Sequence, residues 1–335
     1  MALCKCKMCG GTMKIDRRNN TATCLYCGNV STILDMGENL YVQYQTMLDD
    51  LMNKTDTKEH LQEGFWVEAE EEEVERADGE NIRIRYLAKC RADMCTMYVA
   101  KAHVIYLFEK QDLAYAQKYL KMPELLKFPN SSMEQELKRY LPQVATSCEL
   151  KNGGMMIAVH KPEEVYPLVL FGTLLDRHAA WMVSRMENLC CLLEYNDLSL
   201  NALTLQNLFV NPAEHQLYLY GGWWFAGKQG TEYAGIAADA SDSIHEYYQK
   251  RQECHITTDL ETIRLNAAKL MGYADREAAA QDATIPEPFR KFIRAVCRKS
   301  AQEDFELWDR TLTASYGERK FIHLNVTRED IYSRE

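Results

Sequence analysis

No stretch of the sequence approaches the roughly 20 uncharged apolar residues that a membrane-crossing helix needs. Its first residues, MALCKCKMCGG, hold no apolar core of the kind a secretory signal carries. Secretion and a membrane partner are therefore not expected, and a cytoplasmic location is. Positive charge is in short supply: 39 lysines and arginines face 49 aspartates and glutamates, for a net charge of −10. A protein that grips nucleic acid over its whole surface needs the reverse, because phosphate is neutralised by Lys and Arg. Glycine is missing from residue 80 through residue 152. That excludes from this stretch a glycine-rich loop, in which backbone amides come close to bound phosphates. The eight histidines show no metal-ligand spacing.

Cysteine is plentiful, with 12 in 335 residues. In a chain of this length without a secretory signal, metal binding and buried thiols explain them better than disulfides. Four fall in a doubled pattern, Cys6-Lys-Met-Cys9 and Cys24-Leu-Tyr-Cys27, each pair followed by a glycine, Gly10 or Gly28. A two-residue spacing lets both thiolates of a tight turn reach one ion, and glycine tolerates the backbone angles of such turns. The residues between the pairs suit one short hairpin, with Met13, Ile15 and 21–23 on strands and a polar turn at 16–20. Four cysteines close a tetrahedral zinc site and leave no open position for catalysis. The expectation is a structural zinc ribbon over residues 1–34, with Cys6, Cys9, Cys24 and Cys27 holding one Zn²⁺. Cys4 is the alternative to Cys6, but it breaks the two-residue spacing. So small a unit depends on its metal to fold. Lys5, Lys7, Lys14, Arg17 and Arg18 give it a locally basic face. Another protein is the expected partner, with nucleic acid at the ribbon as the alternative.

Residues 35–79 read as a helical and acidic connector. Leu40, Val42, Tyr44, Met47, Leu48 and Leu51 form an apolar stripe that suits a packing helix over 36–63. The run EAEEEEVE at 68–75 suits a solvated linker or an exposed strand edge. From about residue 80 the pattern turns to strands: IRIRYLAK at 82–89, TMYVAK at 96–101 and HVIYLF at 103–108. Helices are predicted at 113–120 and 133–141, with a hairpin around Asn152-Gly153-Gly154. A long helix follows at 178–195, with Trp181, Met182, Met186, Leu189 and Leu193 at core spacing and Cys190-Cys191 as packing residues. Trp223-Trp224-Phe225 reads as an aromatic anchor. A β-rich lobe over about 80–165, then a mainly helical lobe over about 166–335, makes an α+β fold.

The order of these elements resembles the protein kinase fold. The helix at 178–195 is placed like the long helix before a kinase catalytic loop. The segment from Leu200 to Val210, with Asn207, has the length and apolar ending of the His-Arg-Asp-Leu-x-x-x-x-Asn loop. Leu217-Tyr-Leu-Tyr-Gly221-Gly222-Trp223 stands where a strand leads into Asp-Phe-Gly. Thr258-Asp259 opens a helix similar to the one whose buried Asp braces the catalytic loop. C-terminal modules with Gly-Gly-Trp-Trp and a closing Trp-Asp, here Trp308-Asp309, resemble those of bacterial and phage kinase-like proteins.

The resemblance implies a cleft for ATP. Its vestige would comprise Lys101 or Lys110 as the lysine of the third strand, Glu134 or Glu136 as that lysine's partner, and Asn207 as a metal ligand. It also marks departures. Ala202 stands at the position of the catalytic Asp, Leu200 at that of the His, and Gly221 at that of the metal-binding Asp. Phosphoryl transfer is positioning plus electrostatics, and a cleft lacking both carboxylates has no usual grip on Mg²⁺. The expectation is a catalytically inactive kinase-like scaffold or regulatory binding protein with a zinc ribbon. The alternatives are a nucleic-acid-binding regulator acting through the ribbon and an atypical ATP-binding kinase.

Overall fold

The computed structural model describes residues 13–16, 21–28, 30–32, 69–243, 252–318 and 321–332. The chain divides into two compact units, Met1–Ala69 with Arg319–Ile322, and Glu70–Glu318 with His323–Glu335.

In the small unit, β1 (Met13–Asp16), β2 (Thr21–Cys24) and β3 (Val30–Thr32) form an antiparallel sheet in that order. Ala22 and Cys24, two apart on β2, are both buried, as the two-residue period of a strand requires. After Cys24 the chain turns sharply. Gly28, at φ +69°, donates its N–H to the Cys24 carbonyl at 3.1 Å, and the Tyr26 N–H points at Cys24 Sγ from 3.5 Å. The hairpin predicted between the cysteine pairs is present. Cys6, Cys9 and the helix expected over 36–63 lie outside the described residues.

The large unit opens with the acidic run, which forms β4 (Glu70–Glu75) paired with β5 (Asn81–Tyr86). Adjacent glutamates make a strand here because cations stand opposite them. Arg85 pairs with Glu71 at 2.8 Å and Arg83 with Glu73 at 3.5 Å across the ladder, and Lys89 reaches Glu72 at 2.6 Å. Gly79, at φ +89°, closes the turn. The strand expected over 82–89 breaks at Leu87, whose N–H bonds to the Val99 carbonyl of the next sheet.

That sheet has five antiparallel strands: β6 (Ala88–Ala92), β7 (Cys95–Val99), β8 (His103–Phe108), β9 (Val144–Glu149) and β10 (Met155–His160), in the order β6-β7-β8-β10-β9. Val104, Tyr106 and Phe108 alternate onto its inner face. There they meet α1 (Leu113–Lys121), which buries Ala116 and Tyr119. On the outer face, Ile84 and Tyr86 of the acidic hairpin pack with Tyr98, Leu150 and Met156. Next comes α2 (Ser131–Leu137), capped by Asn130, whose side chain accepts the Met133 N–H.

The second half is mainly helical. Short β11 (Tyr166–Pro167) leads to α3 (Asp176–Tyr195), two residues longer than predicted at its N-terminus. Asn196, just past α3, binds both polar groups of the Lys127 backbone, which ties the segment before α2 to this helix. β12 (Leu198–Ser199) pairs with β15 (Gly227–Lys228), and between them β13 (Leu208–Asn211) and β14 (Gln216–Leu219) form a small sheet with β11. After α4 (Ala238–Ser243), helix α5 (Ile256–Leu270) is buried on nearly all sides. Around it lie α6 (Arg276–Gln281), α7 (Glu287–Arg294) and α8 (Ala301–Tyr316), and α9 (Arg328–Tyr332) closes the chain. Trp308 of α8 packs against Phe289 and Phe292 and donates its indole N–H to Ser184 at 2.7 Å.

Among the described residues no helix is long and apolar enough to cross a membrane.

Candidate functional site

Three parts of the large unit converge on Asn207. It ends a single 3₁₀ turn, Leu205–Asn207, and is fully buried. Its amide nitrogen lies 3.0 Å from the Ala202 carbonyl, 3.2 Å from Thr204 Oγ1 and 3.3 Å from Asp93 Oδ2. Its own carbonyl accepts the Gly221 N–H at 3.1 Å. A Cβ added to Gly221 would overlap Asn207 Oδ1 and stand 2.9 Å from Asn207 Cγ. Position 221 is glycine because the Asn207 amide occupies the space a side chain would need.

The loop before Asn207 is held from below by α5. Asp259 Oδ2 accepts the Leu200 N–H at 2.7 Å and lies 2.9 Å from the Ser199 hydroxyl, which donates to it. Asn266, two turns further along α5, donates to the Leu203 carbonyl at 2.7 Å. Asn201 takes a left-handed φ of +59° and donates to the Phe225 carbonyl at 3.2 Å. Burial pushes the Asp259 carboxyl up to about 7, against the pull of the Leu200 N–H and the Ser199 hydroxyl. Ala202 is buried beneath Gly222, where an added Cβ would fall 3.1 Å from Ala202 Cβ.

From above comes the turn between β6 and β7. Asp93 adopts φ +47° there, a conformation Asp tolerates better than most residues. Burial pushes its carboxyl up, and the Asn207 amide pulls it back down. Beside it, the Gln206 side chain donates to the Arg91 carbonyl. The hairpin tip is thus fastened to the loop at two adjacent points.

Between sheet and loop the space is filled with rings. Trp224 stacks on Tyr119 of α1 at 5.8 Å between centroids and 21° between planes. It meets Tyr106 and Phe108 of β8 edge-on at 5.6 and 5.9 Å. All four are fully buried, and these are favourable aromatic geometries. The Tyr119 hydroxyl donates to the Tyr220 carbonyl at 2.6 Å, locking α1 to the strand end before Gly221.

Of the residues expected at a nucleotide cleft, only Asn207 lies here. Lys101 stands in the turn between β7 and β8, at the opposite end of β7 from Asp93. With about 3.4 Å of rise per residue, that puts it on the order of 15 Å away. It pairs with Glu163 at 3.4 Å. Lys110 packs against the Gly153 turn. Glu134 and Glu136 are on α2, paired with Lys138 at 3.3 Å and Arg139 at 3.8 Å. The displacement has a plain cause: the inward register of β8 presents Val104, Tyr106 and Phe108, so a ring stands where a lysine was sought. Asp93, Tyr106 and Tyr119 were not singled out from the sequence. The signal for Asp93 was its place in the tight turn Ala92–Cys95, where Asp is a favoured residue.

Among the described residues no three His, Cys, Asp or Glu side chains group as a metal site. Cys24 and Cys27 are two of the four expected zinc ligands.

No family profile matches the chain, and no curated protein matches it in sequence. Among solved structures it is similar to vaccinia related kinase 3, at 13% identity over 72% of this chain and 90% of that one, with a TM-score of 0.49. It is also similar to a rhoptry kinase from Toxoplasma gondii, at 12% identity over 73% and 83%, with a TM-score of 0.49. A third is the ROP18 kinase domain in complex with AMP-PNP and sucrose, at 9% identity over 81% and 93%, with a TM-score of 0.48.

Proposed function

We propose that residues 80–335 are a protein-kinase-like body that has kept the architecture and lost phosphoryl transfer, and that it works as a binding scaffold or regulator. The kinase-like part of this reading is supported by the strand order β6-β7-β8-β10-β9 with α1 between β8 and β9. The β12–β15 pairing around the loop and the buried Asp259 bracing Leu200 support it further. The observation that carries the loss of activity is at position 221. A kinase needs a metal-binding carboxylate there, and the Asn207 amide leaves no room for even a Cβ. Ala202 offers no base, and the buried rings of Tyr106, Tyr119 and Trp224 fill the space between β8, α1 and the loop. Removing one electrostatic group of a catalytic site commonly costs about 10²–10³-fold in rate, and here several are missing.

The test is transfer of labelled phosphate from ATP, with Mg²⁺ or Mn²⁺, to the chain itself and to generic protein substrates. No incorporation above that of an Asn207→Ala variant is expected. Incorporation that Asn207→Ala abolishes would overturn the reading. One observation favours a second reading, an atypical ATP-binding kinase: the Asp93 carboxylate arrives beside Asn207 from the hairpin above. Nucleotide binding that Asp93→Ala removes would mark Asp93 as a relocated metal ligand.

For the small unit the reading is a structural zinc ribbon, with Cys6, Cys9, Cys24 and Cys27 holding the ion. The turn after Cys24 fits this, because the Tyr26 N–H aimed at Sγ favours a thiolate and Gly28 lets the chain turn back. Metal analysis should find one zinc per chain, lost in Cys24→Ser. The partner in this reading is another protein, in a bacterial or phage cytoplasm.

A further inference from the structure

A cavity of about 380 Å³ opens between α2, α3 and β14, apart from the Asn207 site. Its size is in the range of small-molecule pockets, which are mostly apolar with a few placed polar groups. Leu189, Leu192 and Leu217 form a buried apolar floor. At the rim, Met133 and Tyr195 leave 41% and 56% of their surface exposed, a cost that a bound apolar group would relieve.

The charges at the mouth are unequal. The Arg185 guanidinium lies there, with its Nε donating to the His215 carbonyl at 3.2 Å. That bond engages Nε and not the terminal nitrogens. Among the described residues no carboxylate pairs with Arg185. The other charged residue of the lining, Glu136, pairs with Arg139 at 3.8 Å on the exposed side of α2, and Arg139 lies over the Tyr140 ring at 4.8 Å. The lining thus holds one cation, Arg185, and one anion, Glu136, and the anion has a cation of its own in Arg139.

We propose that this cavity binds a small apolar carboxylate, a medium-chain alkyl or aryl monocarboxylate, with its body on the leucine floor and its carboxylate on Arg185. A planar carboxylate matches the guanidinium fork, and an ammonium or a neutral head group does not. The site stands whether or not the chain transfers phosphate, because it shares no residue with the Asn207 site.

The experiment is calorimetric titration of the full chain with sodium octanoate and, separately, with neutral 1-octanol. Octanoate is expected to bind saturably at one site, about threefold to tenfold more tightly than octanol, the range for a partly exposed charge pair with hydrogen bonds. Arg185→Gln should erase that preference and leave octanol binding unchanged. Cys191→Trp, which fills the cavity from α3, should abolish both. If Cys191→Trp fails to fold by circular dichroism, Arg185→Gln, an exposed position, carries the test alone. Absence of saturable octanoate binding, or octanoate binding that Arg185→Gln leaves unchanged, would overturn the proposal.

Discussion

The Asp93 carboxylate stands 3.3 Å from the Asn207 amide and so ties a hairpin tip to a loop 114 residues further along the chain. In the proposed kinase-like reading, a working cleft would have to open and close over its nucleotide. Here the two sides are joined directly, and the rings of Tyr119 and Trp224 are stacked beneath the joint. A hydrogen bond to a charged group is worth about 1.5–3 kcal/mol, less the cost of burying the charge. Asp93→Ala should therefore lower stability by about 1–2 kcal/mol and speed amide exchange in the turn Ala92–Cys95. Asp93→Asn keeps an acceptor and sheds the buried charge, so it should be the milder change. Equal exchange rates in the wild type and Asp93→Ala would show that the joint holds nothing.

Gly221 and Asn207 are coupled through space. Gly221→Ala places a Cβ on the Asn207 amide, an overpacking error that commonly costs about 1–3 kcal/mol. Asn207→Ala alone loses hydrogen bonds but clears that space. The double variant should be clearly more stable than the sum of the two single losses predicts, as urea unfolding would measure. Simple additivity would contradict the packing described.

Asp259 gives a pH dependence of definite sign. Its ordinary value is 3.8, and in the folded chain burial raises it to about 7. The folded state therefore holds this proton more tightly than the unfolded chain. The stability it contributes is complete below about pH 4 and is lost as pH rises toward 7. Asn at this position cannot ionise. The stability of the wild type relative to Asp259→Asn should increase as pH falls from about 7.5 to 5, and a decrease would contradict the assignment.

Arg264 is buried between two acids. Its terminal nitrogens reach Asp304 at 2.7 and 2.8 Å, and Glu187 Oε1 is 3.7 Å away, all three side chains at 0% exposure. Removing one member of such a group strands the others, at about 3–5 kcal/mol. Arg264→Met should cost that much, and adding Glu187→Leu should recover part of it by removing one stranded carboxylate. A loss under about 1 kcal/mol in urea unfolding would show that the group is not held as described.

What was legible in the sequence followed from local pattern. The long helix ending at Tyr195, the hairpin at Asn152-Gly153-Gly154 and the buried Trp223-Trp224-Phe225 could be read because periodicity or turn chemistry marks them. The loop position of Asn207 and the bracing role of Asp259 were implied by the resemblance to the kinase fold. Lys101 could not be placed, because the register of β8, set by pairing with β7 and β10, decides which residues face inward, and Glu136 could not, because α1 and not α2 packs on that inner face. Helix α5 shows the same limit from another side. Asp259, Glu261, Arg264 and Asn266 are all buried, and their side-chain partners come from loops and helices distant in sequence, such as Leu200 for Asp259, Leu203 for Asn266, and Glu187 and Asp304 for Arg264. Nothing in a local window separates such a helix from a surface one. The acidic strand β4 was ambiguous for a similar reason, since Arg83, Arg85 and Lys89 stabilise it only once the hairpin has formed.

Titration of Mg·ATP into the full chain by calorimetry tests the central claim most directly, because it asks whether the space between Asn207, Gly221 and the aromatic rings admits a nucleotide. No saturable heat is expected up to millimolar ATP, with or without Mg²⁺. One-to-one binding that needs Mg²⁺ and is weakened by Asn207→Ala would contradict it.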